Sequence, residues 1–259
     1  MAAHAASWRA QLANARGDHG ERRRAYRDAV RLYEDIGDVR RAAGAELNLA
    51  DAANRVGAYA EAEQALRATV EKCARVGNAL WHGYAQLNLG YASLRLGKHE
   101  EAQAALDEAA VLAERTGEAR LTIFARLYGA RALLAADPDR AAEVATLAAR
   151  EATEGQLPSV RVLALAIAGE AHLTAGRVEE ALASSEEALA LRDELGAVEE
   201  DEAEVFLVRA RALEAAGRCV EGEDVRARGR ARIRELAEHM ADETLRVRFL
   251  EDVPANREL

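Results

Sequence analysis

The chain has 259 residues but few prolines, aromatic residues or cysteines, and each shortage excludes a class of protein. Three prolines and 4% aromatic residues leave room for many alanines, leucines, glutamates and arginines. These residues lose little side-chain freedom in a helix, so an all-α fold is predicted. Cys73 and Cys219 stand far apart without a CxxC spacing. This excludes a disulfide framework and a zinc knuckle, and it favours a reducing, cytoplasmic setting.

Long apolar runs and an excess of positive charge are also missing. No apolar stretch approaches about 18 residues, and the first residues lack the basic and apolar segments of a signal peptide. Neither membrane insertion nor export is therefore expected. The formal net charge is −10, which disfavours general binding to nucleic acids or to acidic membranes.

Motifs of the common enzymes are missing as well. The sequence contains no GxxxxGK[ST], GxGxxG, GxSxG or HExxH, and its histidines are scattered without ligand spacing. The acidic run 199–204 could bind a cation, but carboxylates are favoured at a helix N-terminus in any case. Both cysteines are expected to pack as small apolar residues. We therefore predict a protein that is not an enzyme and has no metal or other cofactor.

A period of about forty residues is the strongest pattern that is present. Leu87-Asn88-Leu89-Gly90 precedes Gly97 in the same way that Leu47-Asn48-Leu49-Ala50 precedes Gly57. A fixed period of this length is typical of a repeat array. Glycines end the helices, because a helix often terminates in the left-handed conformation that glycine adopts most easily. The two series of turns are Gly17, Gly57, Gly97, Asp137, Gly176 and Gly217, and Gly37, Gly77, Gly117, Gly155 and Gly196.

Two helices of about sixteen residues and two short turns make one repeat. We predict one domain over residues 1–259, and stacked helix pairs are expected to form a right-handed superhelical α-solenoid. The predicted pairs are 2–37, 38–77, 78–117, 118–155, 156–196 and 197–241, followed by a capping segment, 242–259.

Small residues recur at fixed distances from these turns, where they would let paired helices approach closely. One column holds Ala10, Ala50, Gly90, Ala130, Gly169 and Ala210, and another holds Ala62, Ala102, Ala142, Ala181 and Gly222. Arg22 replaces the small residue in the first pair. In the fourth pair Pro138 must begin a helix, since it has no N–H to donate. In this pair the register could be shifted by one residue, so that Gly129 and Ala141 take the small positions.

The second and third repeats resemble the tetratricopeptide repeat, in the residues Asn88-Leu89-Gly90, Gly97, Ala102, Leu106 and Ala109 and in their counterparts from Asn48 to Leu66. The long period resembles arrays in bacterial signalling proteins, which often follow a kinase or ATPase module. Residues 246–256 are similar to the closing segment of such regulators. The resemblance implies a scaffold that binds a peptide or a partner protein in a concave groove. It also implies a kinase or ATPase module in the same longer protein.

In such repeats the first helices line the groove, where an asparagine amide can both donate to and accept from a peptide backbone. Asn48 and Asn88 occupy this place, although asparagine is also a consensus residue of the repeat. Arginines nearby suit a carboxylate, although many helix arginines are simply solvated. The predicted binding residues are Asn48, Asp51, Asn54, Arg55, Asn88, Tyr91, Arg95, Arg126 and Arg131.

Two features near the C-terminus leave alternatives open. Arginines crowd the helix after Gly217, where they form either the polar face of a terminal repeat or a patch for RNA or an acidic partner. An apolar stripe from Ile233 to Phe249 would cover the open end of the stack or form a homodimer seam. The alternative to a peptide-binding scaffold is a regulatory repeat domain that senses a small molecule or associates with itself.

Overall fold

The structure is a computed structural model that describes residues 1–198 and 200–259. The described residues form fourteen helices and no strand, which confirms the predicted all-α fold of helix pairs. The helices are α1 (Ala2–Ala15), α2 (His19–Asp35), α3 (Val39–Arg55), α4 (Tyr59–Arg75), α5 (Ala79–Arg95), α6 (His99–Thr116), α7 (Ala119–Leu133), α8 (Pro138–Glu154), α9 (Pro158–Thr174), α10 (Val178–Leu195), α11 (Glu202–Ala215), α12 (Cys219–Glu238), α13 (Glu243–Glu251) and α14 (Pro254–Glu258). Within this part of the chain, none of the helices has the length and apolar character that a bilayer crossing requires.

The helix ends follow local chemistry. The Asp18 carboxylate accepts a hydrogen bond from the Glu21 amide at 2.8 Å, and Asp137 does the same for Arg140 at 3.0 Å. These bonds satisfy amides that have no partner inside the helix. Pro138 begins α8, as predicted.

Most of the predicted turn glycines have a positive φ, from 65° at Gly117 to 77° at Gly57. Gly155 is different, because its φ is −78° and the next residue, Gln156, takes the left-handed conformation with φ 54°.

The helices group into two compact units. One unit contains residues 1–121 and 235–253, and the other contains residues 122–234 and 254–259. In the first unit each helix from α1 to α6 packs against the next, and α3 also packs against α5. In the second unit α8 to α11 pack in the same sequential way, and α9 also contacts α11. Sequential packing of this kind is what a repeat array requires.

The small-residue columns lie where helices approach closely. A Cβ atom on Gly90 would lie 2.7 Å from Cδ2 of Leu106, and one on Gly169 would lie 3.0 Å from Cγ1 of Val208. In the fourth pair Ala130 is fully buried, whereas a Cβ on Gly129 would meet no atom within 4 Å. Ala130 therefore takes the small position, and the shifted register is excluded for this helix.

Residues 235–253, which include the end of α12 and all of α13, belong to the first unit and pack on the turns between its helices. A Cβ on Gly17 would lie 2.6 Å from Leu236, and one on Gly57 would lie 2.8 Å from Cβ of Asp252. The ring centroid of Phe249 lies 5.5 Å from that of His19. The apolar stripe is buried except at Leu245, which is half-buried, and from Leu236 onward it lies against the first two helix pairs.

Candidate functional site

The two predicted asparagines lie on neighbouring helices of the first unit, Asn48 on α3 and Asn88 on α5. Asn48 is exposed, and its amide donates to the Gly44 carbonyl one turn earlier, at 2.9 Å. Asn88 is half-buried. Both side chains therefore reach the surface, at equivalent positions in successive repeats.

Asn54 joins these two helices. Its side chain is 1% exposed, and its amide nitrogen donates to the backbone carbonyl of Asn88 at 3.1 Å. The side-chain oxygen is buried without a hydrogen-bond partner among the described residues. Asn54 thus fixes the position of α3 against the residue that carries the Asn88 side chain.

Asp51 lies between two arginines. Its carboxylate accepts a hydrogen bond from Arg22 of α2, and it pairs with Arg55, one turn further along α3, at 3.3 Å. The side chains of Arg22, Asp51 and Arg55 are 7%, 17% and 8% exposed. Burial opposes ionisation of Asp51, but the charges of Arg55 and Arg22 outweigh it and lower the pKa of the carboxyl.

Tyr91 of α5 adds an aromatic ring to this group. The ring is 2% exposed, and the guanidinium carbons of Arg55 and Arg95 lie 5.6 Å and 5.0 Å from its centroid. These distances permit cation–π attraction to both arginines. We call Arg22, Asp51, Arg55, Tyr91 and Arg95 the Asp51–Tyr91 cluster.

His19 lies beside this cluster and was not predicted from the sequence. Burial, followed by the charges of Arg22 and Arg55, lowers the pKa of His19 to about 3. The ring is therefore neutral at physiological pH and adds no charge. The only sequence signal was Arg22, which breaks the small-residue column so that its guanidinium can reach Asp51.

Arg126 and Arg131, the remaining predicted residues, lie in the second unit and have partners of their own. Arg126 pairs with Glu151 of α8. Arg131 pairs with Asp201 at 2.9 Å and donates to Glu204 at 2.6 Å. All three side chains of this second group, the Arg131 cluster, are at most 10% exposed. Ligand binding by Arg126 and Arg131 remains a prediction, and in the structure the carboxylates that Arg131 holds come from the chain itself.

The acidic run begins α11, with Glu202 and Glu204 in the first turn. Both residues are only 7% exposed, so the expectation of a solvated turn is wrong for them. Glu199 lies outside the described residues. Arg218, directly before α12, and many arginines of α12 also pair with carboxylates within the chain. The pairs are Arg218 with Glu221, Arg226 with Glu214, Arg228 with Asp193, Arg230 with Glu223 and Arg232 with Glu202. This pairing supports a structural role for the basic helix.

Comparison with known proteins supports the repeat. The family model of the tetratricopeptide repeat matches residues 84–115. No curated protein matches the chain significantly in sequence. Residues 84–115 cover most of α5 and most of α6, so the match includes Asn88, Tyr91 and Arg95.

Solved structures with the same fold include several regulators. A Rap protein complexed with Competence and Sporulation Factor aligns at a TM-score of 0.72 and 14% identity, over 98% of this chain and 71% of that one. NprR in complex with its cognate peptide NprX aligns at a TM-score of 0.69 and 13% identity, over 96% of this chain and 73% of that one. A signal transduction ATPase with a tetratricopeptide repeat sensor, from Pyrococcus horikoshii, aligns at a TM-score of 0.55 and 15% identity. The alignment covers 95% of this chain and 38% of that one. The resemblance to tetratricopeptide repeat proteins is thus confirmed in fold.

Proposed function

We propose that the chain is a non-catalytic interaction module that binds an extended peptide, or an extended segment of a partner protein, across α3 and α5. The observation that carries this proposal is the pair Asn48 and Asn88, which present amides at the surface one repeat apart. Each amide can donate to and accept from a peptide backbone. Two such contacts at a fixed interval favour an extended ligand, and they depend on its backbone and not on its side chains.

Two buried residues, Asn54 and Tyr91, stabilise this surface. Asn54 ties α3 to the backbone of Asn88, and the Tyr91 ring contacts both Arg55 and Arg95. Arg95 is half-buried and so keeps part of its side chain at the surface. A guanidinium binds a carboxylate through two parallel hydrogen bonds, so the favoured ligand carries an acidic side chain or its terminal carboxylate here.

The comparisons support a regulatory setting. NprR was crystallised with its cognate peptide, and the Rap protein with a signalling factor. The archaeal ATPase carries its tetratricopeptide repeats as a sensor. We extend to this chain a role in a bacterial signalling protein, with a kinase or ATPase module as a candidate partner within a longer chain.

The likeness to a sensor also supports a second candidate function. In this alternative the repeats bind a small molecule or a second copy of the chain, and the packing of the repeats changes in response. A closed pocket would favour the small molecule, whereas an open surface with several polar groups favours a peptide. The surface amides of Asn48 and Asn88 support the peptide.

A selection from a phage-displayed library of unstructured peptides tests the proposal, followed by fluorescence anisotropy with the selected peptides. The double variant Asn88→Ala, Arg95→Glu removes one amide and reverses one charge. The matched control, Gln103→Ala with Arg115→Glu, makes the same changes at exposed positions of α6. Circular dichroism should show equal helix content in all three proteins.

We expect the selected peptides to be enriched in Asp and Glu and to bind the control like the wild type. The site variant should bind them at least about tenfold more weakly, because it loses a backbone contact and repels a carboxylate. Equal binding by the site variant would rule out α3 and α5 as the ligand surface.

A further inference from the structure

A basic cavity lies in the first unit, away from the asparagines. Its volume is about 330 Å³, which is in the range of small-molecule sites. Its wall includes Arg23, Arg24 and Arg27 of α2, together with Arg248 of α13. Two acidic residues, Glu61 and Asp242, complete the charged lining.

Internal ion pairs account for only part of this positive charge. Arg23 donates to Glu61 at 2.5 Å, and Arg24 donates twice to Glu21, at 2.9 and 3.0 Å. Asp242 accepts from the Leu245 amide at 3.2 Å and so caps α13. Arg27 and Arg248 have no ion pair within the part of the chain that the structure describes.

Arg23 is the most deeply buried charged residue of the cavity wall. The residue is 5% exposed, and its Nε is buried without a hydrogen-bond partner among the described residues. Burying a guanidinium is costly unless charges and acceptors compensate it. Glu61, its ion-pair partner, has a side chain that is 51% exposed, so solvent weakens that compensation.

We propose that this cavity binds the phosphate group of a small soluble molecule. Phosphate carries a charge of about −1.5 to −2 at neutral pH and offers three strong acceptor oxygens. It therefore matches two guanidinium groups that lack a carboxylate, and arginine suits it geometrically. The chain as a whole has a charge of −10, so attraction must come from this local group.

Bound phosphate would also join two parts of the first unit. Arg27 lies on α2, whereas Arg248 lies on the C-terminal segment that packs against the turns before α2 and α4. An anion between these helices stabilises the docked segment, because it binds the folded protein and not the unfolded chain. Phosphate should therefore raise the melting temperature and slow hydrogen exchange of the α13 amides.

Isothermal titration of the full chain with inorganic phosphate and with pyrophosphate, at constant ionic strength, tests the proposal. The variant Arg27→Gln, Arg248→Gln removes both guanidinium groups. Arg31→Gln is the matched control, because Arg31 is exposed on the same helix and does not line the cavity. Succinate serves as a carboxylate probe.

We expect saturable phosphate binding by the wild type and by the control, and at least about a tenfold loss in the double variant. Slower exchange of the α13 amides should appear only in the proteins that bind. No saturable binding of either phosphate probe, or equal binding by the double variant, would overturn the proposal. Succinate that binds as tightly as phosphate would overturn the assignment to phosphate. None of the cavity residues lies on α3 or α5, so the outcome is independent of peptide binding.

Discussion

Each of the two units contains a buried ionic group, and the two groups have opposite proportions of arginine to carboxylate. In the Asp51–Tyr91 cluster two arginines converge on one carboxylate. In the Arg131 cluster one arginine holds two carboxylates, Asp201 and Glu204. The charged side chains are buried to similar degrees, between 7% and 17% exposed.

The difference lies in how far apart the partners are in the chain. Asp51 pairs with Arg55 within one helix and with Arg22 in the helix before. Arg131 reaches partners 70 and 73 residues later. The first cluster stiffens the surface that we propose for peptide binding, whereas the second ties the beginning of α11 to α7. Both roles follow from the same principle, that a buried charge needs a partner.

The largest expected effect is on the Arg131 cluster. Replacing Arg131 with Met leaves two buried carboxylates without this guanidinium, so the free energy of unfolding should fall by about 4 kcal/mol. Urea denaturation followed by circular dichroism measures it. The control is Arg140→Met, whose ion pair with Glu143 is exposed and should cost under about 1 kcal/mol. Equal losses for both variants would contradict a structural role for the Arg131 cluster.

A smaller effect is expected for Asp51→Asn, at about 2 kcal/mol near neutral pH, since the amide still accepts a hydrogen bond. The pKa of Asp51 is lowered in the folded state, so its contribution is present in full above about pH 5 and is lost as the pH falls. The stabilities of wild type and variant should therefore converge in acid. A difference that stays constant from pH 7 to about pH 3 would contradict the ionic origin.

Packing in the small-residue columns gives a third comparison. Gly90→Ala should destabilise the first unit by about 1 to 2 kcal/mol, because the new methyl group would lie 2.7 Å from Leu106. Gly129→Ala in the second unit meets open space and should stabilise by about 0.5 to 1 kcal/mol through higher helix propensity. Thermal unfolding of the two variants measures the sign of each change in stability. Two destabilised proteins would contradict the assigned register.

The two cysteines provide the mildest test. Cys73 of the first unit is buried, and burial raises the pKa of its thiol to about 11, with a smaller contribution from Glu46. Cys219 of the second unit is exposed, so the expectation that it packs as a small apolar residue is wrong. At about pH 8 a thiol reagent should modify Cys219 in the native protein and Cys73 only after unfolding, because the thiolate is the reactive form. Mass spectrometry distinguishes the two sites, and rapid modification of Cys73 would show that the first unit opens easily.

Local chemistry made the helix pairs predictable. Turn glycines such as Gly97, the start of α8 at Pro138 and the small position of Ala130 depend on residues within a few positions of each other. For the candidate site, the surface positions of Asn48 and Asn88 follow from the same periodicity. Their role in binding remains a prediction.

The sequence by itself thus determined an array of helix pairs with small residues at the close contacts, because period and turn chemistry act over short distances. Only the tertiary structure decided which charges meet. Nothing in the sequence links Arg131 to Asp201, or Arg248 to the arginines of α2, because a charged residue is compatible with many partners. The docking of Phe249 beside His19 is likewise a tertiary outcome, since an apolar stripe does not specify the surface that it will cover.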